Sequence, residues 1–359
     1  MNQQGMKLTA YFGERQRAII NGSRSQFLAD AMLDLFGAHE IATSVMLRGI
    51  ASFGLDGVWH SDESLSLSED PPVAVAAVDT EPKIHALTNK VSAMTERGLV
   101  TLETARLVSG SGSTTNFDDA DSAEATKLTV FVGRQERIGG VRAHYAVCNL
   151  LYRHGFAGAS AFLGVDGTAH GERYRAGFFS RNVNVPMMIV AVGTAKQAAA
   201  ATTELAAAMP TALLTIERVR LCKQDGIVFA RPEQFPATDN HGQALWQKIM
   251  VHTSEATRHD GLPIHRALIR RLRQSHAAHA VTALRGIWGF HGDHQPHGDK
   301  LFHWARRVPV TTIIVDTPDS LARSFDVIDE LTTHHGLVTS ELVPTVLPID
   351  QQHKHGDTG

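Results

Sequence analysis

Two places in this 359-residue chain set an arginine beside a glycine at what reads as a strand end: Arg48-Gly49 and Arg285-Gly286. A guanidinium next to exposed backbone N–H groups suits a phosphate or a carboxylate. The competing role is structural, an ion pair to Asp79 or Asp316 that locks adjacent strands. Asp79-Thr80 and Asp316-Thr317 stand at helix starts. A carboxylate there complements the helix dipole by about 0.3–1 kcal/mol, or reaches a ribose or a cation. Gly98 and His335-Gly336 lie in turns before a final strand. The candidate ligand-binding set is therefore Arg48, Gly49, Asp79, Thr80, Gly98, Arg285, Gly286, Asp316, Thr317, His335 and Gly336.

Other chemical signals are weaker. Fourteen of the 20 histidines fall between His241 and His355, and His291, His294 and His297 share one loop at three-residue spacing. Metal ligation there is conceivable, but only Asp293 and Asp299 could complete a site, and a solvated loop explains the pattern. Gly110-Ser111-Gly112 lacks the Lys-Ser/Thr and following helix of a phosphate loop. Arg270, Arg271 and Arg273 form a basic run without stacking aromatics, which reads as a solvated helix face and not a nucleic-acid patch. No nucleophile–base pairing is recognisable, so the expectation is a protein that is not an enzyme.

Composition narrows the class. The chain is 43% hydrophobic with a net charge of −3, so neither a basic nucleic-acid binder nor a disordered tail dominates. Cys148 and Cys222 are too few for a disulfide framework and read as buried thiols of a reducing compartment. Glu14, Arg15 and Arg17 stand where a signal peptide needs an apolar core. The longest uncharged stretch, from Asn182 to the residue before Lys196, contains Asn184, Pro186 and Gly193 and is too short for a bilayer span. The expectation is a cytoplasmic protein, not an integral membrane one.

The chain repeats itself three times. LRGIASFG (Leu47–Gly54), PVAVAAVDT (Pro72–Thr80) and GLVTLE (Gly98–Glu103) return as LRGIWGFHG (Leu284–Gly292), PVTTIIVDT (Pro309–Thr317) and GLVTSE (Gly336–Glu341). The offset from Arg48 to Asp79 is 31 positions, as it is from Arg285 to Asp316. A worn middle copy holds FLGVDG (Phe162–Gly167), PMMIVAVGT (Pro186–Thr194) and LLTIE (Leu213–Glu217). The copies open on KLTAYFG, KLTVFVG and KIMVHTS. The repeats span 6–109, 127–222 and 246–345. A small, polar, acidic stretch (110–126) reads as a flexible linker, 223–245 as a more structured connector, and 346–359 as a polar tail.

Within the first repeat, Leu8–Phe12, Thr43–Leu47, Val73–Val78 and Val100–Val108 read as strands. Phe27, Leu28, Met32, Leu35 and Phe36 recur at helical spacing, with Ser23 or Ser25 as a candidate N-cap. Thr80 before Pro82 opens a second helix, and Gly98 suits its left-handed end. The order is βαββαβ, the ferredoxin-like arrangement. The strands are apolar on both faces, so the face without helices needs a cover, and three sheets around one axis would supply it. The expected fold is α+β: three tandem ferredoxin-like repeats packed as an intrachain pseudo-trimer.

The motifs KLTAYFGERQR, LRGIASFG, the loop to LSEDPPV, VDTEPKI and GLVTLE resemble those of the uncharacterised bacterial PII-like family, related to PII nitrogen-signalling proteins. PII proteins are homotrimers that bind adenine nucleotides between subunits and dock on partners through a long loop after a segment aligned with Leu47–Ile50. The resemblance implies a non-catalytic regulator that senses a small anionic ligand, with an adenine nucleotide as the candidate, in clefts between repeats. It would report to an unidentified protein partner through loops 55–68, 168–182 and 291–305. The turns Thr95–Val100, Met209–Leu213 and His334–Val338 depart from the family pattern: they lack the glycines and lysine of the PII phosphate turn. The alternatives are an adaptor or structural module without a ligand, and a metal-binding trimer-like protein. The middle repeat has Leu163 for the arginine and Gly193 for the aspartate, so one competent cleft, between repeats 1 and 3, is expected.

Overall fold

The computed structural model describes residues 2–54, 59–61, 70–108, 123–176, 184–233, 235–236, 245–292, 294–298 and 308–346. Most of loops 55–68 and 291–305, the end of loop 168–182, the linker 110–122 and the tail therefore lie outside the described residues, as do Asp293 and Asp299.

The first segment contributes β1 (Asn2–Gly13), α1 (Leu28–Ala38), β2 (Thr43–Phe53), β3 (Pro72–Thr80), α2 (Glu81–Met94) and β4 (Leu99–Val108). The second contributes β5 (Glu124–Gly133), α3 (Ala143–Arg153), β6 (Gly158–Phe162), β7 (Pro186–Gly193), α4 (Ala195–Ala208) and β8 (Leu213–Gln224). The third contributes β9 (Leu245–Ser254), α5 (Ile264–Gln274), β10 (Val281–Arg285), β11 (Pro309–Asp316), α6 (Pro318–Leu331) and β12 (Leu337–Val346).

The expectation of three ferredoxin-like βαββαβ units packed as a PII-like pseudo-trimer is corrected here. The described strands do not form one sheet per copy; eighteen of them join edge to edge into one sheet. Nine of them, β2–β3–β1–β4–β8–β12–β9–β11–β10 and back to β2, close an antiparallel barrel. Apolar faces on the strands call for a cover, but the pairing of the sheet edges decides how the copies join. Unpaired edge N–H and C=O groups are a liability, and closure removes them. The last strand of each copy pairs beyond its own segment: β4 with β8 and β12, and β8 with β12. β8 also runs to Gln224, into the stretch read as a connector.

Alternation along each strand sorts side chains to the two faces of the barrel wall. On β1, Leu8, Ala10 and Phe12 pack outward with Phe36, Ile84, Leu87 and Val91 of α1 and α2. The opposite face meets an interior cluster drawn from all three copies, including Leu47, Ala76, Phe131, Val190, Met250 and Ile313. Strands therefore read as apolar on both sides, because both sides are buried.

Between first strand and first helix, each copy inserts a hairpin that the sequence reading missed: Arg17–Ile20 with Ser23–Phe27, Arg137–Ile138 with Val141–Arg142, and Arg258–His259 with Leu262–Pro263. Their turns, Asn21-Gly22, Gly139-Gly140 and Asp260-Gly261, all have positive φ, the tight-hairpin signature. Helix α1 accordingly starts after Phe27, not at Ser23 or Ser25. Helix α2 ends at Met94, so Gly98 is not its left-handed cap. Among the described residues no helix is long and apolar enough to cross a membrane.

Candidate functional site

The barrel interior carries charge. Lys7 lies opposite Glu103 in the β1–β4 register, Lys127 opposite Glu217 between β5 and β8, and Lys248 opposite Glu341 between β9 and β12. Each lysine also reaches the glutamate of another copy. The result is a closed ring of alternating charges: Lys7–Glu217 3.0 Å, Glu217–Lys127 2.5 Å, Lys127–Glu341 2.5 Å, Glu341–Lys248 2.7 Å, Lys248–Glu103 2.6 Å and Glu103–Lys7 2.6 Å. Thr9 and Thr215 donate hydroxyl hydrogen bonds to Glu103 and Glu217. A cavity of about 30 Å³, roomy enough to hold a water, lies beside the ring among Thr9, Tyr11, Val190 and Met250.

Burial in an apolar barrel favours the neutral form of every group in the ring, and the opposing charges reverse this for most of them. Burial pushes Glu103 up, yet the ammoniums of Lys248, Lys7 and Lys127 hold it well below the usual carboxylate range. Burial pulls Lys127 down, yet Glu217, Glu341 and Glu103 raise it well above an ordinary lysine. Lys248 goes the other way and is lowered: burial, with Lys127 and Lys7 nearby, outweighs its two carboxylates, Glu103 and Glu341. The three carboxylates lie within 4.8 Å of one another, the spacing of a metal site. The ring is nevertheless electrically neutral, three against three, and a cation would have to displace an ammonium. Its chemistry is cohesion: it ties three segments of distant sequence to one point.

The sequence contained this signal. KLTAYFG, KLTVFVG and KIMVHTS each place a lysine inside a strand that is apolar on both faces, and GLVTLE, LLTIE and GLVTSE each end on a glutamate. Lysine and glutamate are almost never fully buried unless paired.

The residues predicted for ligand binding do not form one constellation. Arg48 lies opposite Val73, while Asp79 lies beyond Val78 at the other end of the same strand pair. Arg48 pairs with Glu14 at 2.6 Å, and Arg285 with Glu255 at 2.7 Å; neither meets Asp79 or Asp316. Asp79 instead accepts hydrogen bonds from the backbone N–H groups of Ala42 (2.8 Å) and Thr80 (2.6 Å) and pairs with Lys83. Asp316 does the same for His279 and Thr317 (both 2.7 Å) and meets the His279 ring. These carboxylates fix the entry of a neighbouring strand and the start of a helix. The middle copy has Arg134 where the others have Glu14 and Glu255, and Leu163 where they have arginine. Both halves of the pair are thus absent together.

Gly49 and Gly286 serve close packing: a Cβ would stand 2.9 Å from Pro72 and 2.7 Å from Pro309. Gly98 and Gly336 have φ of +126° and +107°, and a Cβ on Gly98 would meet the Tyr11 carbonyl oxygen at 2.5 Å. His335 is exposed. Gly336 accepts a hydrogen bond from Asp225 N–H at 2.9 Å. The Asp225-Gly226 turn therefore sits in the junction of the second and third copies.

The three copies meet through equivalent strand pairings: 43–46 with 166–169, 158–161 with 288–291, and 281–284 with 49–53. At the first of these junctions an open cleft of about 170 Å³ is lined by Thr43, Glu136, His170, Tyr174, Asn184 and Thr211, with Phe131 in its wall. This cleft lies between copies 1 and 2, whereas the motif count pointed to copies 1 and 3. Tyr174 donates to Glu172 at 2.6 Å along its rim. Arg173 clamps the same junction through Asp30 (2.5 Å), Asp34 (2.6 Å) and Asp166 (2.7 Å). Leu163 and Gly193, read as decay of a ligand motif, gave no sign of this cleft; its polar groups come from residues outside the motifs shared by the copies.

A family model described as an uncharacterized ACR, domain of unknown function 190, matches residues 5–107, 125–221 and 246–345. These matches cover most of the chain, each containing one lysine and one glutamate of the ring, so the chain belongs to the domain of unknown function 190 family and carries three tandem copies of its domain.

Proposed function

We propose that this chain is a non-catalytic regulatory protein of PII-like type, in which the cleft between copies 1 and 2 receives a small polar ligand. Family membership is compatible with such a role. The observation that carries the reading is the asymmetry of the junctions. Copies 1 and 2 leave an open cleft lined by hydroxyl, amide, imidazole and carboxylate groups. The matching place between copies 2 and 3 holds the Asp225-Gly226 turn. A few convergent polar groups in a concave site are the usual make-up of a small-molecule pocket. Among the described residues the lining includes a carboxylate, Glu136, and no lysine or arginine. The ligand portion bound here is accordingly a neutral, hydrogen-bonding one, such as the base and ribose of a nucleotide, with any phosphates directed outward. The charge ring keeps the scaffold rigid while loops near the cleft carry the signal to a protein partner.

A thermal-shift series with adenosine, AMP, ADP and ATP tests this, because preferential binding to the folded state raises stability by RT ln(1 + [L]/Kd). The expected result is a concentration-dependent rise for at least one of them that is abolished by Thr211→Trp, an exposed position whose enlargement fills the cleft. No shift with any of the four, or an undiminished shift in the variant, overturns the reading in favour of a ligand-free adaptor.

A further inference from the structure

Two histidines of the third copy converge on the junction with the second copy. His252, on β9, is buried; its Nδ1 meets the Thr311 hydroxyl at 3.0 Å, and its Nε2 is buried without a hydrogen-bond partner among the described residues. His291 is placed the opposite way round: its Nε2 pairs with Asp225 Oδ1 at 2.6 Å, and its Nδ1 is buried without a partner among the described residues. Both residues border the Leu337–Gly158 contact. His252 lies opposite Leu337 in the β9–β12 register. A Cβ built on Gly158 would stand 3.6 Å from both a Leu337 methyl and His291 Nδ1. Each imidazole thus has one nitrogen fixed by an outer partner and the other left over inside the protein.

We propose that His252 Nε2 and His291 Nδ1 form a binding site for a borderline divalent transition-metal ion of the Zn²⁺, Ni²⁺ or Cu²⁺ class. Imidazole nitrogens suit these ions. The held nitrogens match what metal sites require: a ligating histidine usually gives its other ring nitrogen to a carboxylate, carbonyl or similar outer partner, which fixes ring orientation. Asp225 and Thr311 supply those partners. Burial, with His291 and Lys127 nearby, pulls His252 down to about 3, so it stays neutral and its lone pair remains available. An ion reaches the site from the His291 side, where the side chain is 26% exposed. Water completes the coordination. The site belongs to the third copy alone, because Phe131 and Ala169 occupy the corresponding positions of the second.

Those counterparts give the test, since the same fold already tolerates them. Cu²⁺ is titrated into the full chain and followed by electron paramagnetic resonance and calorimetry, with His252→Phe, His291→Ala and His294→Ala/His297→Ala compared after circular dichroism confirms folding. The expected result is a first equivalent whose spectrum carries hyperfine structure from two nitrogens. His252→Phe and His291→Ala each weaken it at least tenfold, and the loop double variant leaves it unchanged. Retention of the first equivalent in His252→Phe or His291→Ala, or its loss in the loop double variant, overturns the proposal in favour of surface histidines. The readout does not involve the cleft between copies 1 and 2, so its failure and that of the regulatory reading are distinguishable.

Discussion

Lys7 and Glu217 are 210 positions apart in sequence and 3.0 Å apart in space. The contact joins the first strand of one copy to the last strand of the next, and two equivalent contacts close the ring. Removing one partner from a buried ion pair leaves an uncompensated charge and costs about 3–5 kcal/mol. Lys127 touches three carboxylates, Glu103, Glu217 and Glu341. Lys127→Met should therefore lower unfolding stability by about 3–5 kcal/mol, read from the denaturant midpoint at unchanged slope. Arg48→Ala, which loses a pair whose arginine is 58% exposed, should change it by less than about 1 kcal/mol.

Stability should depend on pH in two stages on the acid side. His144, His252 and His265 are held down by burial, to about 4, 3 and 4. Between those values and an ordinary histidine near 6.5, the unfolded chain binds more protons than the folded one, so stability falls as pH drops below about 6.5. Glu103 and Glu341, depressed by their lysines, add a second loss at lower pH as they protonate in the folded state. On the alkaline side Lys127, raised by its carboxylates, contributes stability that is lost as pH rises through its folded value. Equilibrium unfolding at intervals from pH 4 to 9 should show a flat region above 7 and a decline beginning near 6.5. His265→Ala, which takes the residue type of Ala29 in the first copy, should flatten that decline.

Two glycines separate backbone strain from packing. A Cβ on Gly98 would lie 2.5 Å from the Tyr11 carbonyl oxygen at φ +126°, whereas one on Gly22 would meet nothing within 4 Å at φ +76°. Gly22→Ala should cost about 1 kcal/mol, the strain of the left-handed conformation alone. Gly98→Ala should cost at least twice that, because the β1–β4 pairing must open to admit the methyl group. Equal thermal shifts for the two variants would contradict this.

The Arg173 clamp predicts a difference between cations. Its guanidinium engages Asp30, Asp34 and Asp166 together, and Asp166 is buried. A lysine cannot reproduce that planar, multidentate geometry. Arg173→Lys should therefore lose much of what Arg173→Ala loses, about 2 kcal/mol in the latter, with faster hydrogen exchange along the 43–46/166–169 pairing.

The chain's threefold repetition was legible because the family motifs recur at fixed offsets, and the long strands were legible because Val73–Val78 and its counterparts are apolar throughout. Four features were missed, each for a physical reason. The edges of β4, β8 and β12 look like any strand edge, and only their mutual pairing reveals a barrel. Arg48 and Asp79 recur together, which suggested a shared site, yet recurrence over 31 positions also describes two ends of one strand pair. The hairpin turns Asn21-Gly22 and Asp260-Gly261 are strong local signals that were passed over for a serine cap. The lysines and glutamates of the ring were visible as letters, and their register with each other was the missing fact.

The ring is tested most directly by a double-mutant cycle on Lys248 and Glu103, which belong to different copies and lie 2.6 Å apart. Lys248→Met and Glu103→Leu each leave a charge buried without its full complement and should each cost about 3–5 kcal/mol. The double variant leaves two lysines and two glutamates, a neutral remainder, so its loss should be smaller than the sum of the single losses by at least 2 kcal/mol. Additive losses, with a coupling energy within about 0.5 kcal/mol of zero, would contradict the claim that these charges hold the three copies together.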